Sequence, residues 1–256
     1  MMIELRKPAE IEKLREANRI VAQTLDFLES QIRVGMSLKA ISQMAEEFIL
    51  AKGATPSFKG LYGFEGAICT SLNRVCIHGT PDETKLKEGD ILGLDIGTCK
   101  DGFYGDAART IAIGKISDKD AKLIACAKDA LDYAVSIIRE GLRFKALSQK
   151  LDEFIRARGF VPLLNYCGHG IGTRPHAEPE IPNYLEPGQS PKEGDKIKSG
   201  MVFCIEPMIC QKDGTPVHLN SDRWNAASAD GLNTAHFEHC IAVVRGRAEV
   251  LSWVCA

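Results

Sequence analysis

Long apolar runs are missing from this sequence. No stretch approaches the roughly 18 consecutive apolar residues of a membrane-spanning helix, so none is expected. The N-terminal segment MMIELRKPAEIEKLREANRI is broken by charge and lacks the apolar heart of a secretory signal, which makes the cytoplasm the expected compartment. Neither sign of charge is in surplus: 32 Lys plus Arg face 34 Asp plus Glu, so nothing advertises a nucleic-acid footprint. No CxxC occurs, and nine cysteines cannot all pair internally, which argues against a disulfide framework and a thiolate-rich structural zinc site. The thiols are expected to be mostly small buried apolar groups. Histidine is scarce, with six in 256 residues, so any grouping of histidines carries information.

What is present is ordinary globular material. Apolar residues make up 45% and charged residues 26%, which excludes disorder as a global description. Pro8 opens a helical pattern that Gly35 closes, and a second apolar stripe runs over 37–51. Residues 58–80 change to glycines and strand-like AICTSLNRVCIHG, with a turn at Leu72-Asn73-Arg74. Helical periods return over 118–139 and 145–158, followed by a Gly- and Pro-rich region to 200. MVFCIEPMI, HFEHCIAVV and AEVLSWV then read as strands. The order helices, strands, helices, strands predicts an α+β protein of two similar half-units. No linker divides it, so residues 1–256 are read as one domain.

The chemistry begins in a hairpin. Asp95 sits within the apolar run ILGLDIGTC, where a carboxylate needs a partner or a metal. Asp101-Gly102 is a strong two-residue turn signal. Counting back from that turn sets Lys100 opposite Phe103 and Gly97 opposite Asp106. Asp95 shares a face with Gly97, so it is a diagonal neighbour of Asp106 at about 7–8 Å. Two carboxylates so placed repel unless protonated, paired or bridged by cations. A two-metal centre would use them.

Further candidates follow. His169 and His176 lie in NYCGHGIGTRPHAEPE, where glycines let backbone approach a ligand. Glu206 is buried in MVFCIEPMI, and Pro207 places it at a strand end. Glu238 precedes the apolar strand CIAVV, and His239 beside it is a candidate supporting residue. His78 ends RVCIHG and could reach a substrate. Two Asp, one His and two Glu form an oxygen-rich set suited to Mn, Fe, Co or Zn. Two metals on such a set acidify a water into a hydrolytic nucleophile. The spacing alone does not name the bond that is cleaved.

The segments SLNRVCIHGTP, DIGTCKDGFYGDAART, YCGHGIGTRPHAEP, FCIEPM and TAHFEHCIAVV, in this order, resemble the type I bacterial methionine aminopeptidases over nearly the whole chain. That resemblance implies the pita-bread, creatinase/aminopeptidase-like fold, with two pseudo-related halves around a dinuclear metal site. It implies five metal ligands, Asp95, Asp106, His169, Glu206 and Glu238, with Asp106 and Glu238 bridging. His78 and His176 would contact the substrate, and Glu206 would also move protons. Leu61, Tyr62, Phe64, Cys69 and Trp224 would form the methionine pocket and its mouth. Asn73, Val75 and Thr234 would form a loop site for a monovalent cation. Many relatives carry histidine at Tyr62, proline at Glu65 and an aromatic residue at Pro175. Neither a cysteine-rich zinc extension nor the long insertion of type II enzymes is present. The implied substrates are nascent polypeptide N-termini with a small second residue, met through transient ribosome association by a monomer, without membrane or specific nucleic-acid binding. An Xaa-Pro peptidase of the same fold and a non-catalytic binding protein are the competing readings.

Overall fold

The computed structural model describes residues 3–221 and 224–253. Helix α1 (Pro8–Gln31) starts with Pro8 in its first turn, and the Lys7 N–H donates to the Glu10 carboxylate. Helix α2 (Leu38–Ala51) is capped by Ser37, whose hydroxyl accepts from Ala40 N. Helix α3 (Asp118–Ile137) uses Ser117 in the same way, and α4 (Phe144–Arg156) follows it. These four helices match the sequence periods.

The strands that carry the site are β1 (Cys69–Leu72), β2 (Val75–Ile77), β3 (Ile91–Lys100), β4 (Phe103–Ala112), β5 (Cys167–Gly170), β6 (Ala177–Pro182), β7 (Val202–Ile205) and β8 (Glu238–Val244). All but β2 join one nine-stranded sheet. Its central path runs β3, β4, β8, β7, β5, β6, and β1 pairs with β3. Two three-stranded sheets flank it. MVFCIEPMI is not one strand. It breaks at Glu206-Pro207, and Met208–Cys210 passes into a separate sheet. Likewise AEVLSWV is strand over its first part, in Arg247–Val250, and its last residue, Val254, lies outside the described residues.

Two cores mark the two halves. Leu25, Ile41 and Ile49 of α1 and α2 pack on Leu92, Leu94 and Ile96 of β3. Leu131, Leu147 and Leu151 of α3 and α4 pack on Phe203, Ile205 and Ile241. Each such side chain contributes about 1.5–3 kcal/mol on burial, enough to hold the opposite face of the sheet rigid. On β3 the even residues take the helix side, so Asp95 and Gly97 take the other. The eight described cysteines are free thiols, six of them buried, and Cys255 lies outside the described residues. Among the described residues no helix is long and apolar enough to cross a membrane.

Helix α1 also grips the hairpin directly. A Cβ on Gly105 would come within 2.7 Å of the Ala17–Asn18 backbone, so the glycine permits the close approach. Thr98 donates to Ala17 O at 3.0 Å, and the buried Asn18 side chain accepts from Asp106 N at 3.1 Å. Replacing Asn18 by Ala strands that buried N–H. We expect Asn18→Ala to lower stability by about 1–3 kcal/mol in urea unfolding; an unchanged midpoint would refute the anchoring role.

Candidate metal and substrate site

The β3–β4 register sets Lys100 opposite Phe103 and Gly97 opposite Asp106, the pairing expected from the turn, with no bulge between. Asp95 lies opposite Ala108, and Ala108 lies opposite Glu238 on β8. Cys69 of β1 pairs with Asp95 from the other side. One row across four strands therefore reads Cys69, Asp95, Ala108, Glu238. Ala108 keeps the two acids on its flanks accessible to a shared centre.

The second half of the sheet delivers the rest. Glu206 follows β7 immediately, and its carbonyl accepts from the buried Asn183 side chain at 2.9 Å. His169 on β5 places Nε2 3.5 Å from Glu206 Oε1 and 3.9 Å from Asp106 Oδ2. Its Nδ1 lies 3.1 Å from Gly170 O. A carbonyl only accepts, so Nδ1 carries the proton and Nε2 offers a lone pair to the carboxylates. This is the arrangement of a metal-ligating histidine.

Asp95, Asp106, Glu206 and Glu238 are all buried. Among the described residues none of them forms an ion pair with Lys or Arg. Burial pushes Asp95 up to about 7. Burial raises Asp106 well above the carboxylate range, helped by Glu238 and Asp95. Glu206 and Glu238 are raised by burial and then by their acidic neighbours. Asp95 Oδ1, Asp106 Oδ1 and Glu238 Oε1 have no hydrogen-bond partner. A protein that buries four acids and leaves oxygens unpaired is fitted to cations, and this donor set suits divalent ions.

These acids line a cavity of about 740 Å³ that is also lined by the expected histidine and pocket residues Leu61, Tyr62, Phe64, Cys69, His78, His169, His176 and Trp224. Phe64 and Cys69 cluster with Phe58, Leu61 and Trp224 into an apolar wall. Phe64 and Trp224 meet edge to face at 5.0 Å. His78 adopts φ 56 and stands between Tyr166 and Trp224. Burial, and then His176, lowers the His78 pKa to about 4, so its ring is neutral. His176 is exposed to the cavity and lies edge-on to His169 at 4.5 Å. Tyr62 is 80% exposed at the mouth, with φ 50 between Gly60 and Gly63.

Some placements differ from expectation. His239 takes the opposite face from Glu238. Its Nδ1 lies 2.9 Å from Ser252 Oγ, and the ring meets Trp253 away from the cavity. The supporting histidine is His236, which the sequence reading passed over. It is buried, with Nε2 3.8 Å from Glu206 Oε2, and Thr110 Oγ1 holds its backbone on both sides. His236 ends a strand of one sheet and Glu238 opens a strand of another, so no strand period in the sequence linked them. Phe58, Tyr166 and Asn183 were also missed, and no local pattern singles them out. In the proposed cation loop, Asn73 and Thr234 meet directly. The Asn73 carbonyl accepts from both Thr234 N and Oγ1, so a cation there would compete with these bonds. Val75 pairs with Ala227 in the neighbouring sheet.

Comparison with known proteins decides the family. The metallopeptidase family M24 model matches residues 12–245. A methionine aminopeptidase of Helicobacter pylori is 54% identical over 98% of this chain and 99% of its own length. Methionine aminopeptidase 1 of Bacillus subtilis is 39% identical over 99% of this chain and its full length. The chain belongs to the type I methionine aminopeptidases of family M24. The crystal structure of a Thermotoga maritima methionine aminopeptidase superposes with a TM-score of 0.94 at 34% identity, covering 99% of this chain and 100% of that one. The pita-bread fold extends to a Pyrococcus furiosus prolidase, with a TM-score of 0.79 at 21% identity. There the match covers 98% of this chain but only 66% of the longer prolidase.

The acid cluster makes a pH prediction for metal-free protein. An unfolded carboxylate titrates near about 4, and the folded values lie higher. The folded state then binds more protons at these four groups between those values, so their contribution to stability is fully present at low pH and is lost as pH rises. Chelator-treated protein should melt at progressively lower temperature from about pH 7 to about pH 8, above the range where the buried neutral histidines, with values lowered by burial, titrate in the unfolded chain. Added Mn²⁺ should restore the melting point most at the high end. A metal-free melting point that rises across this window would contradict the buried-cluster reading.

Proposed function

We propose that this chain removes N-terminal methionine by two-metal hydrolysis, with Asp95, Asp106, His169, Glu206 and Glu238 as the residues that would hold the metals. The observation that carries this reading is the convergence of four buried carboxylates, with no Lys or Arg partner among the described residues, and a histidine lone pair beside an apolar pocket. Close relatives that bear the name methionine aminopeptidase support it. Divalent cations held there would supply the Lewis acidity that activates water and polarises the scissile carbonyl. Co, Mn, Fe and Zn all suit the donors.

The chain's own groups do the rest. Glu206 accepts the proton of the attacking water and passes it to the leaving amine. His236 stands behind Glu206 and fixes the side on which that carboxylate is reached. His176, open to the cavity, donates to the oxyanion that develops at the carbonyl. His78, neutral and pinned between two aromatic rings, contacts the substrate backbone. Phe58, Leu61, Phe64, Cys69 and Trp224 receive the unbranched thioether side chain. Tyr62 stands at the mouth, where it offers a hydroxyl. The substrates this reading implies are nascent chains with a small second residue, met near the ribosome in the cytoplasm by a monomer.

Peptide assays separate the readings. With added Mn²⁺ or Co²⁺, Met-Ala-Ser should be cleaved and Ala-Pro peptides left intact; the reverse preference would favour an Xaa-Pro peptidase, and no turnover of either a binding role. Asp106→Asn should abolish turnover, and near-normal rates would remove Asp106 from the ligand set. Trp224→Ala should lower kcat/KM for methionyl peptides by about 10- to 100-fold, the loss expected for one large apolar contact. An unchanged kcat/KM would take Trp224 out of the pocket.

A further inference from the structure

Cys204 is a buried thiol that the mechanism above does not use. It lies on β7 two residues before Glu206, so the two share a sheet face. Its cross-strand partner is Cys240, two residues after Glu238 and on the same face as that acid. The Cys240 N–H donates to Ser252 and its carbonyl accepts from Leu251, both away from β7. The pair is therefore non-hydrogen-bonded, the kind in which opposed side chains stand closest. Cys204 is fully buried and belongs to the apolar cluster that includes Leu14, Ile171 and Val202.

It also meets the acids. Donor atoms of Asp106, His169, Cys204 and Glu238 all lie within 4.8 Å of one another. Asp106 and Glu238 each keep a buried oxygen with no hydrogen-bond partner. Donors around one small divalent ion stand about 3–4 Å apart, a spread that side-chain rotation closes. Cys126, by contrast, is packed among helix residues of the apolar core and has no such company.

We infer that Cys204 is a sulfur donor to the metal centre, joining Asp106, His169 and Glu238 around one ion. The inference rests on the two-metal reading and goes beyond it. The ligand set then contains a soft donor beside the hard carboxylates. Thiolate favours thiophilic ions such as Zn²⁺ over Mn²⁺, which carboxylates alone serve well. Cys204 thereby sets which metal the centre prefers.

Co²⁺ added to chelator-treated full-length protein tests this spectroscopically. Wild type should show visible d–d bands and, in addition, a near-ultraviolet sulfur-to-Co²⁺ charge-transfer band. Cys204→Thr should keep the d–d bands and lose the charge-transfer band, whereas Cys240→Ala and Cys69→Ala should retain it. Zn²⁺ affinity should fall about tenfold or more in Cys204→Thr while Mn²⁺ affinity stays within about threefold. If Cys204→Thr does not fold, X-ray absorption of Co²⁺-loaded wild type decides instead, because a sulfur scatterer at bonding distance is required. Charge transfer that is absent from wild type with d–d bands present, or that survives in Cys204→Thr, overturns the sulfur ligand and leaves the two-metal reading standing. Absence of d–d bands in wild type overturns the two-metal reading, and the sulfur ligand with it.

Discussion

Mutual repulsion among four buried carboxylates is the constraint around which this molecule is arranged. Asp95, Asp106, Glu206 and Glu238 are buried at the floor of the cavity, and the protein offers them no Lys or Arg among its described residues. Left alone, such a cluster keeps protons, as the raised values of all four groups show. An exposed surface pair could relax by swinging apart. These cannot, because each stands on or beside a paired strand, and two have their own backbone held by buried amide side chains. Asn18 fixes the Asp106 N–H, and Asn183 fixes the Glu206 carbonyl. The fold thus stores an electrostatic demand that cations meet, and stability and chemistry draw on the same four groups.

Rigidity of this kind needs close approach, and small residues supply it. Gly105 lets α1 lie on the hairpin, so the helix that fills one core also positions a site carboxylate. A Cβ on Gly97 would collide with Ser57 and Phe58, so Gly97 admits Phe58 to the apolar wall. A Cβ on Gly168 or Gly170, flanking His169, would meet neighbouring carbonyls. The site is therefore narrow because backbones touch, and the room left over is the substrate cavity.

How much of this could be read from sequence depends on whether the local rule stays local. The hairpin was legible because Asp101-Gly102 fixed the turn and no bulge intervened, so a period of two carried the count from Lys100 to Asp95. Pro207 correctly ended the strand at Glu206, since proline cannot donate to a central ladder. The histidines near Glu238 were less legible. His239 is adjacent in sequence but opposite in face, while His236 reaches Glu206 only because the chain leaves one sheet at His236 and enters another at Glu238. That crossing is a tertiary event with no mark in composition. Phe58 and Tyr166 are likewise brought in by strand pairing far from their own positions. Similar reasoning explains why Cys204 looked like packing: its apolar neighbours are in sequence, and its acidic ones are across the sheet.

The row Cys69, Asp95, Ala108, Glu238 couples specificity to chemistry in a way that separate loops could not. Neighbouring strands keep about 4.8 Å between them, so three intervals place the pocket wall about 14 Å from the far ligand at backbone level. Side chains from the same face close most of that gap. A substrate side chain seated against Cys69 and Trp224 therefore has its carbonyl carried to a spot determined by sheet register rather than by loop closure. Register is costly to change, because a one-residue slip would turn every acid on the strand into the helix core. The distance between what is recognised and what reacts is thus protected by the same hydrophobic packing that holds the two halves together.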